Sequence, residues 1–227
     1  MLISTNYKVM YSRLANEKAL QAVGPCFLAD AKGQAAEHFV LVRNPYARLG
    51  SFFKDKFRRN IRNKKPGKIC WQDCQRLFFQ VLGLDEAADD DIKRQSFLQT
   101  TYADFIGCLP GCYLRDAHLQ PQYLLLKEIA GLRTAGFHLV HLESKNETAA
   151  FAGRSGINLG RKVNSTQTQV SDELEINRAL SRALQQKIYD LYEPDFKSLG
   201  YTQAGYPFKA GDYRQPAEPS GGICLNT

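Results

Sequence analysis

Apolar and polar residues alternate with changing spacing along this chain of 227 residues, and the spacing predicts strands interleaved with helices. Residues 8–12, KVMYS, are rich in strand formers, and the LANEKAL sequence after them has the pattern of a first helix. Residues 38–43, HFVLVR, form a nearly continuous apolar run, which is typical of a strand covered on both faces. Residues 137–144, FHLVHLES, predict a further strand.

The longest helical pattern follows the HFVLVR run. Pro45 stands where the first turn of a helix tolerates proline, and apolar residues then recur at helical spacing as far as the KKPG sequence at 64–67. Residues 71–84 and 96–109 predict two further helices, and the acidic stretch 86–91 between them is expected to be a solvated linker. These two helices have the character of a helical insertion.

The C-terminal half has a less regular pattern. Residues 121–132 fit either a helix or a buried strand. Residues 151–169 are polar, basic and typical of a loop, whereas residues 174–200 predict a helix that ends at Pro194.

Buried strands that alternate with helices predict an α/β domain of three layers with a mainly parallel central sheet. Because no strong break in composition divides residues 1–201, we expect one domain there, with the helical insertion at about residues 70–110. The Gly/Pro-rich residues 202–227 are predicted to form a C-terminal tail. Ligands of such sheets bind beyond the carboxyl ends of the strands, which places Arg13 and Arg43 on the ligand side.

The charge balance indicates an anionic partner. The chain has 30 Lys and Arg against 23 Asp and Glu, a formal net charge of +7 and a pI near 9.1. Eight basic residues lie in the fifteen-residue segment 54–68. This basic segment fits either a rim that attracts an anionic acceptor or nucleic acid, or an ordinary solvated helix face. Its single aromatic residue, Phe57, falls on the apolar side of the helix, so the pattern does not favour recognition of bases by stacking.

Neither a membrane span nor a disulfide framework is expected. No apolar stretch reaches about 18 residues, and the N-terminus lacks an export pattern, so a cytoplasmic location without membrane contact is predicted. The cysteine pairs 70/74 and 108/112 would each share a helix face and together supply four zinc ligands. They lack Cys-x-x-Cys spacing, and buried reduced thiols are the favoured interpretation.

The junction after the HFVLVR run has the composition of a phosphate site. Arg43 ends the strand, Pro45 begins the helix and Ser51 lies about two turns later, so a guanidinium and a hydroxyl are available to one phosphate. Arg48 and Lys54 would add positive field. The alternative is an ordinary strand-helix junction with a solvated basic face.

The segment VRNPYARLGSFFKDKF at 42–57 resembles the 3′-phosphate-binding motif of the carbohydrate sulfotransferase family, Arg-x-Pro followed by Arg-x-x-Ser, aromatic residues and Lys. By that resemblance, Arg43 and Ser51 hold the 3′-phosphate of 3′-phosphoadenosine 5′-phosphosulfate (PAPS). Other segments are similar to family motifs in the same order, namely AHLQPQ at 117–122, FHLVHLES at 137–144, LGRKVNST at 159–166 and IYDLYEPDFKSLGY at 188–201.

The resemblance spans nearly the whole chain and implies a three-layer, P-loop-like sulfotransferase fold. It also implies transfer of a sulfuryl group from PAPS to a hydroxyl of a glycan or small metabolite, with adenosine 3′,5′-bisphosphate as the product and without a metal. An acceptor with anionic groups would suit the net charge of the chain.

The chain departs from the family in one loop. The first strand of the family leads into Pro-Lys-x-x-x-(Thr/Ser), which holds the 5′-phosphosulfate. With the first strand at 8–12, Ala15 and Asn16 stand where Pro and Lys are expected. Asn16 would then line the donor site, and another residue would supply the cation. The candidates are Arg13, Lys18, Arg161 and Lys162.

His118 is the first candidate for the general base, because it lies in the segment that resembles His-x-x-Pro-Gln. A structural histidine with satisfied hydrogen bonds is the alternative. His138 and His141 are three residues apart in a predicted strand, which puts them on opposite faces and makes a joint metal site unfavourable. Glu143, on the same strand face as His141, is expected to have a structural role, and His38 lies at the wrong end of its strand for chemistry.

Three functions are therefore compared. The first is a PAPS-dependent sulfotransferase. The second is a homologue that binds the nucleotide but has lost transfer through its altered loop. The third is a basic nucleic-acid-binding module at 54–68, whose binding would depend on Arg58, Arg59 and Arg62. Specific nucleic-acid binding is not expected under the first two.

Overall fold

The structure is a computed structural model. It describes residues 1–6, 9, 11–18, 20–23, 26–29, 37–62, 65, 67, 69–125, 127, 137–159 and 170–203.

A five-stranded sheet forms the centre of the described chain. Its strands are β1 (Leu2–Thr5), β2 (Leu20–Val23), β3 (Cys26–Ala29), β4 (His38–Val42) and β5 (His138–His141), in the spatial order β2-β3-β1-β4-β5. β4 pairs in parallel with both β1 and β5, whereas β3 pairs antiparallel with β1 and β2. The sheet is thus a parallel unit of three strands extended by an antiparallel hairpin.

Helices pack on both faces of this sheet. They are α1 (Tyr11–Ala15), α2 (Pro45–Phe53), α3 (Asn60–Arg62), α4 (Asp73–Val81), α5 (Asp90–Gln99), α6 (Tyr102–Cys108), α7 (Lys145–Ser155), α8 (Val170–Ala179) and α9 (Arg182–Ser198). A π-helical segment, Lys54–Arg59, joins α2 to α3, and a 3₁₀ turn, Leu109–Gly111, follows α6. The long helix that the sequence predicts after Pro45 is confirmed as this continuous run from α2 to α3.

Successive residues of β4 belong to two different cores. Val40 and Val42 join the larger core with α2, α4, α5, α6 and α9, whereas Phe39 and Leu41 join a second core with Phe151 of α7. Side chains alternate between the two faces of a strand, so the two cores lie on opposite sides of the sheet. The predicted α/β fold with three layers is confirmed. All five residues of β4 are buried, which explains why its sequence is almost entirely apolar.

Aromatic rings join α2 and the π-helical segment after it to α4, α5 and α6. Phe52 stacks on Phe105 of α6 with ring centroids 5.7 Å apart, and Phe57 stacks on Phe97 of α5 at 4.6 Å. The rings of Phe57 and Phe78 of α4 meet edge to face at 5.0 Å. Offset and edge-to-face contacts of this kind add to the free energy of burying apolar area.

The predicted first strand at 8–12 is wrong. β1 ends at Thr5, and residues 11–15 are helical. The sequence pattern did not predict β1, because two of its residues, Ser4 and Thr5, are polar although they are buried in a central strand. The Ser4 hydroxyl is 2.8 Å from His38 Nε2, and the Thr5 hydroxyl donates to the Val9 carbonyl. Buried hydroxyls are tolerated when they are hydrogen-bonded in this way.

The predicted helix at 96–109 is two helices, and the acidic stretch before it is only partly a linker. The backbone of Thr100 is extended between α5 and α6, with φ −58° and ψ 116°. Thr101 then caps α6 in a reciprocal box with Asp104. The carboxylate of Asp89 caps α5, so the helix already begins within the acidic stretch.

The C-terminal predictions also need correction. Residues 151–155 complete α7, which ends at Gly156 in the left-handed region with φ 72°, and are not part of a loop. The helix predicted from 174 begins earlier, is interrupted between α8 and α9, and continues past Pro194 because the backbone bends at Tyr192, whose φ is −116°. Of the ambiguous segment 121–132, residues 123–125 are helical, whereas 128–132 and the tail after 203 lie outside the described residues.

Candidate functional site

Three parallel strands end side by side at one edge of the sheet. Thr5 of β1 pairs with Leu41 of β4, and Val42 of β4 pairs with His141 of β5. The segments that follow these strands therefore leave from the same edge, which is where open α/β sheets bind ligands. Arg43 and Asn44 form the middle of the three segments.

Asn44 fixes the start of α2. Its side-chain oxygen accepts from the main-chain amide of Tyr46 at 2.9 Å. Its main-chain amide donates to Oε1 of Glu143, which lies beyond β5, at 3.0 Å. Asn44 is fully buried, and its side-chain nitrogen has no acceptor within the described chain. This buried donor is compatible with an anionic ligand at the junction.

The side chain of Gln122 pairs with both main-chain groups of Arg43. The Arg43 amide donates to Gln122 Oε1 at 3.0 Å, and Gln122 Nε2 donates to the Arg43 carbonyl at 2.6 Å. Asp195 of α9 holds Gln122 in turn, accepting from its amide at 2.9 Å and from the Tyr123 amide at 2.8 Å. Burial raises the pKa of Asp195, although Arg48 and these N–H donors oppose that shift. The Arg43 backbone is thus fixed from α9.

Arg48 supports the site from behind. Its guanidinium is buried and donates to the carbonyl of His118 at 3.0 Å and to that of Ala117 at 3.4 Å. Burial lowers the pKa of Arg48. The Tyr192 hydroxyl of α9 donates to the Leu119 carbonyl at 2.6 Å in the same region. Arg48 thus packs against the segment around His118, and its contribution to the field at the ligand surface stays a prediction.

Ser51 lies on the one partly open stripe of α2. Ala47 and Ser51, with Lys54 just beyond, are half-buried at helical spacing, and the other α2 positions are buried. Arg43, immediately before the helix, is also half-buried. At 1.5 Å per residue, Ser51 lies about 9 Å along the axis from Pro45. The structure thus keeps Arg43 and Ser51 accessible while the rest of their motif is packed.

A model of the sulfotransferase family matches residues 27–202. The match covers more than three quarters of the chain and includes the Arg43 junction and the supporting residues around it. The chain belongs to the sulfotransferase family. Neither the comparison with curated proteins nor that with solved structures gives a match.

The sulfotransferase places Asn16 and Lys18 away from the three strand ends. Both are exposed and follow α1, in the turn that leads to Leu20 at the start of β2. β2 runs in the same direction as β1, so its first residue lies at the opposite edge of the sheet. Arg13 is within α1, but its side chain is outside the described residues, as are Arg161 and Lys162.

β1 ends at Thr5 and α1 already begins at Tyr11, so the LANEKAL segment does not directly follow the first strand. In the family pattern Pro-Lys-x-x-x-(Thr/Ser), Lys8 and Ser12 have the spacing of the lysine and the hydroxyl, and Tyr7 replaces the proline. The sequence prediction missed these two residues because it assigned them to a strand. Ala15 and Asn16 therefore no longer mark a departure from the pattern.

His118 is held by a neighbouring carboxylate. Asp116 Oδ1 accepts from the His118 amide at 2.7 Å and lies 2.8 Å from the ring Nδ1. The ring lies 6.2 Å from that of Phe52, on a side of α2 about 100° from Ser51. Burial raises the pKa of Asp116, but the His118 hydrogen bonds and charge outweigh it and leave the pKa below its usual value. A base role for His118 stays a prediction.

His141 and Glu143 hold the end of the matched domain against β5. The two ring nitrogens of His141 lie 2.8 Å from Glu147 Oε2 and 2.7 Å from the Leu199 carbonyl. Glu143 Oε2 accepts from the Tyr201 hydroxyl at 3.0 Å. His141 is buried and His138 exposed, which confirms that they occupy opposite faces of the strand.

The basic segment 54–68 is largely paired within the fold. Arg58 is buried and lies 2.9 Å from Glu175 of α8, and Arg62 lies 2.8 Å from Asp172. Arg59 lies 2.7 Å from Asp55. The three arginines on which the nucleic-acid hypothesis depends are thus ion-paired, and that hypothesis loses much of its support.

The four described cysteines differ in their exposure. Cys74 and Cys112 are buried, Cys108 is half-buried and Cys70 is exposed, so the favoured buried thiols are found at two of these four positions. Burial raises the pKa of Cys112 to about 12.

In the part of the chain that the structure describes, no helix combines the length and apolar character needed to cross a membrane.

Proposed function

We propose that this sulfotransferase transfers a sulfuryl group from PAPS to a hydroxyl of a glycan or small metabolite. The observation that carries the proposal is the parallel pairing of β1 with β4, which places the ends of both strands, Thr5 and Val42, at the same sheet edge. In the sequence, Lys8 follows the first segment by three residues and Arg43 follows the second directly. A donor with phosphates at both ends of its adenosine would then meet a basic residue from each segment.

Each end of the donor has a different set of residues in this proposal. Arg43 and Ser51 bind the 3′-phosphate, as the family motif implies. Lys8 and Ser12 bind the 5′-phosphosulfate, on the strength of their spacing after β1. The family match begins at residue 27, so the assignment of Lys8 and Ser12 rests on the strand end and the motif alone.

The reaction requires the acceptor oxygen to attack sulfur in line with the leaving phosphate. The new sulfur–oxygen bond forms as the bond from sulfur to the bridging oxygen breaks, and the acceptor proton passes to a base. Negative charge grows on the bridging oxygen, so a cation beside the 5′-phosphate lowers the barrier. Lys8 supplies that cation in this proposal.

Radiolabelled PAPS and a panel of glycan and small-molecule hydroxyl acceptors test the proposal. Wild type is expected to transfer label, and Lys8→Ala to lose at least about 100-fold of the rate, in line with the loss of one group that stabilises transition-state charge. Arg154→Ala is the matched control, because Arg154 is exposed on α7 and pairs with Glu37 at 3.5 Å. Equal rates in wild type and Lys8→Ala would contradict the role of Lys8.

The runner-up is a homologue that binds the nucleotide without transfer. Its original support was the substituted loop at Ala15 and Asn16, and the end of β1 at Thr5 removes that support. Tyr7 in place of proline remains in its favour. Tight binding of adenosine 3′,5′-bisphosphate together with no transfer to any acceptor or to water would favour this homologue.

A further inference from the structure

Three side chains that commonly bind metals meet beside Phe52 of α2. The Sγ of Cys74 on α4, a carboxylate oxygen of Asp116 and a ring nitrogen of His118 all lie within 4.8 Å of one another. Thiolate, carboxylate and imidazole are ligand types that zinc uses in proteins. We propose that Cys74, Asp116 and His118 bind a divalent cation of the zinc class, with water in the fourth position.

The spacing of these atoms is close to what zinc requires. Bonds of about 2.0–2.3 Å in a tetrahedral arrangement place ligand atoms roughly 3.5 Å apart. The three atoms already lie within 4.8 Å, so small side-chain rotations bring them to that distance. Asp116 Oδ1 and His118 Nδ1 already lie 2.8 Å apart, so both atoms can face one cation once bonds to the metal replace the hydrogen bond between them.

The charges around the cluster balance a dication. The Cys74 thiolate and the Asp116 carboxylate neutralise it, and His118 binds as neutral imidazole, so no net charge is buried. Lys56 is nearby, but its ammonium lies 3.0 Å from the Asp55 carboxylate.

The Cys74 thiol has a neighbouring acceptor. Its Sγ donates to Gln72 Oε1 at 3.8 Å, and the same oxygen accepts from the Lys56 ammonium. Binding of the metal would then release the thiol proton to solvent.

The cluster is accessible from one side. The side chains of His118 and Asp116 are 24% and 14% exposed, whereas Cys74 is buried. A cation can therefore enter past His118 and reach the thiol, and a water molecule can complete its coordination.

A cation at this position would join the helical insertion to the support of the phosphate-binding helix. Cys74 belongs to α4, and the carbonyls of Ala117 and His118 accept from Arg48 of α2. The metal would thus hold α4 against the segment that Arg48 supports, and its binding does not depend on the function proposed above. It would also occupy His118, which argues against that residue as the general base.

Metal analysis of the full chain tests the site. After removal of any affinity tag, incubation with Zn²⁺ and dialysis, about one zinc per wild-type chain is expected, against under about 0.2 in Cys74→Ser and His118→Asn. Cys70→Ser is the matched control, since it removes an exposed thiol four residues away and should keep the metal. A wild-type content under about 0.2, or equal loss in Cys70→Ser, would overturn the proposal.

Two measurements on wild type test the site without relying on the folding of any variant, namely a cobalt spectrum and the effect of zinc on Tm. Co²⁺ is expected to produce a thiolate-to-cobalt charge-transfer band in wild type and in Cys70→Ser. Zinc is expected to raise the Tm of wild type by roughly 5 °C, because it binds only the folded chain. A folded wild type that shows neither the band nor the shift in Tm would refute the site.

Discussion

At the scale of single residues, Gln122 determines how Arg43 is presented. Its amide satisfies both main-chain groups of Arg43, and the Asp195 carboxylate keeps that amide in place. Both Gln122 and Asp195 are buried, so water cannot replace either partner without local opening. The arginine side chain can then extend toward a ligand from a backbone that these hydrogen bonds hold in place.

Gln122→Leu removes this support without leaving a large cavity. The main-chain groups of Arg43 lose their side-chain partner and Asp195 loses one of its donors, so the free energy of unfolding should fall by about 2–4 kcal/mol. Urea denaturation measures the change. Gln120→Leu is the control, because the Gln120 side chain makes an exposed hydrogen bond to the Leu114 carbonyl and should cost less than about 1 kcal/mol. Equal costs at the two positions would contradict the role of Gln122.

Cys112 provides a prediction on pH. Burial raises its pKa to about 12, so the folded thiol stays protonated where an unfolded thiol, with a pKa of about 8.5, ionises. Its contribution to stability is complete below about pH 8.5 and is lost as the pH rises toward 12. Alkylation at pH 9, mapped by mass spectrometry, should modify exposed Cys70 well before Cys112. Comparable rates at both sites would show that Cys112 is not buried.

The sequence predicted Arg43 and Ser51, the two half-buried residues of the phosphate motif, but not the residues that support them. Arg43 and Ser51 belong to one short segment, so a local pattern identifies them. Gln122 and Glu143 reach the same junction from distant parts of the chain, through hydrogen bonds that no local spacing encodes. Arg48 carries the charge expected of a phosphate ligand, and only the structure shows that it is buried and packs within the fold.

At the scale of elements, ion pairs attach α8 to the long helix that starts at Pro45. The Arg58 guanidinium lies 2.9 Å from Glu175 and also donates to the Phe97 and Thr100 carbonyls. Arg62 lies 2.8 Å from Asp172 one turn later. Ile176 of α8 packs 3.5 Å from the position that a Cβ would take at Gly50, directly before Ser51. A Cβ at residue 50 would make an ordinary van der Waals contact with Ile176, so α8 packs closely against α2 here.

Arg58→Ala is expected to destabilise the protein strongly. It leaves two buried carbonyls and Glu175 without their cation, which should cost about 3–5 kcal/mol. Arg59→Ala removes the same charge from a more exposed pair with Asp55 and should cost under about 1 kcal/mol. Thermal unfolding of both variants checks the difference. Similar losses would mean that net charge and not the buried pair controls stability.

The elements that the sequence predicted well have unbroken patterns. β4 is wholly apolar because both of its faces are covered, and α2 keeps its aromatic spacing from Pro45 onward. β1 was missed because two of its four residues are buried hydroxyls. The helix α7 was missed because its sequence, KNETAAFAGRS, has one buried apolar anchor, Phe151, and no apolar stripe.

At the scale of the whole molecule, the position of β1 determines the proposed function. With β1 at Leu2–Thr5, Lys8 and not Asn16 follows the first strand at the spacing of the family motif. The parallel pairing of β1 with β4 places the end of β1 at the edge where Arg43 emerges. A donor pocket with two phosphate subsites is the arrangement that this topology favours.

Calorimetric binding of two nucleotides tests this central claim most directly. Wild type should bind adenosine 3′,5′-bisphosphate more tightly than adenosine 5′-monophosphate. Arg43→Ala should weaken the bisphosphate by about 10–100-fold and the monophosphate little, because a charged hydrogen bond contributes about 1.5–3 kcal/mol. Lys8→Ala should weaken both nucleotides by similar factors, since both carry the 5′-phosphate. An Arg43→Ala variant that still prefers the bisphosphate as strongly as wild type would contradict the account.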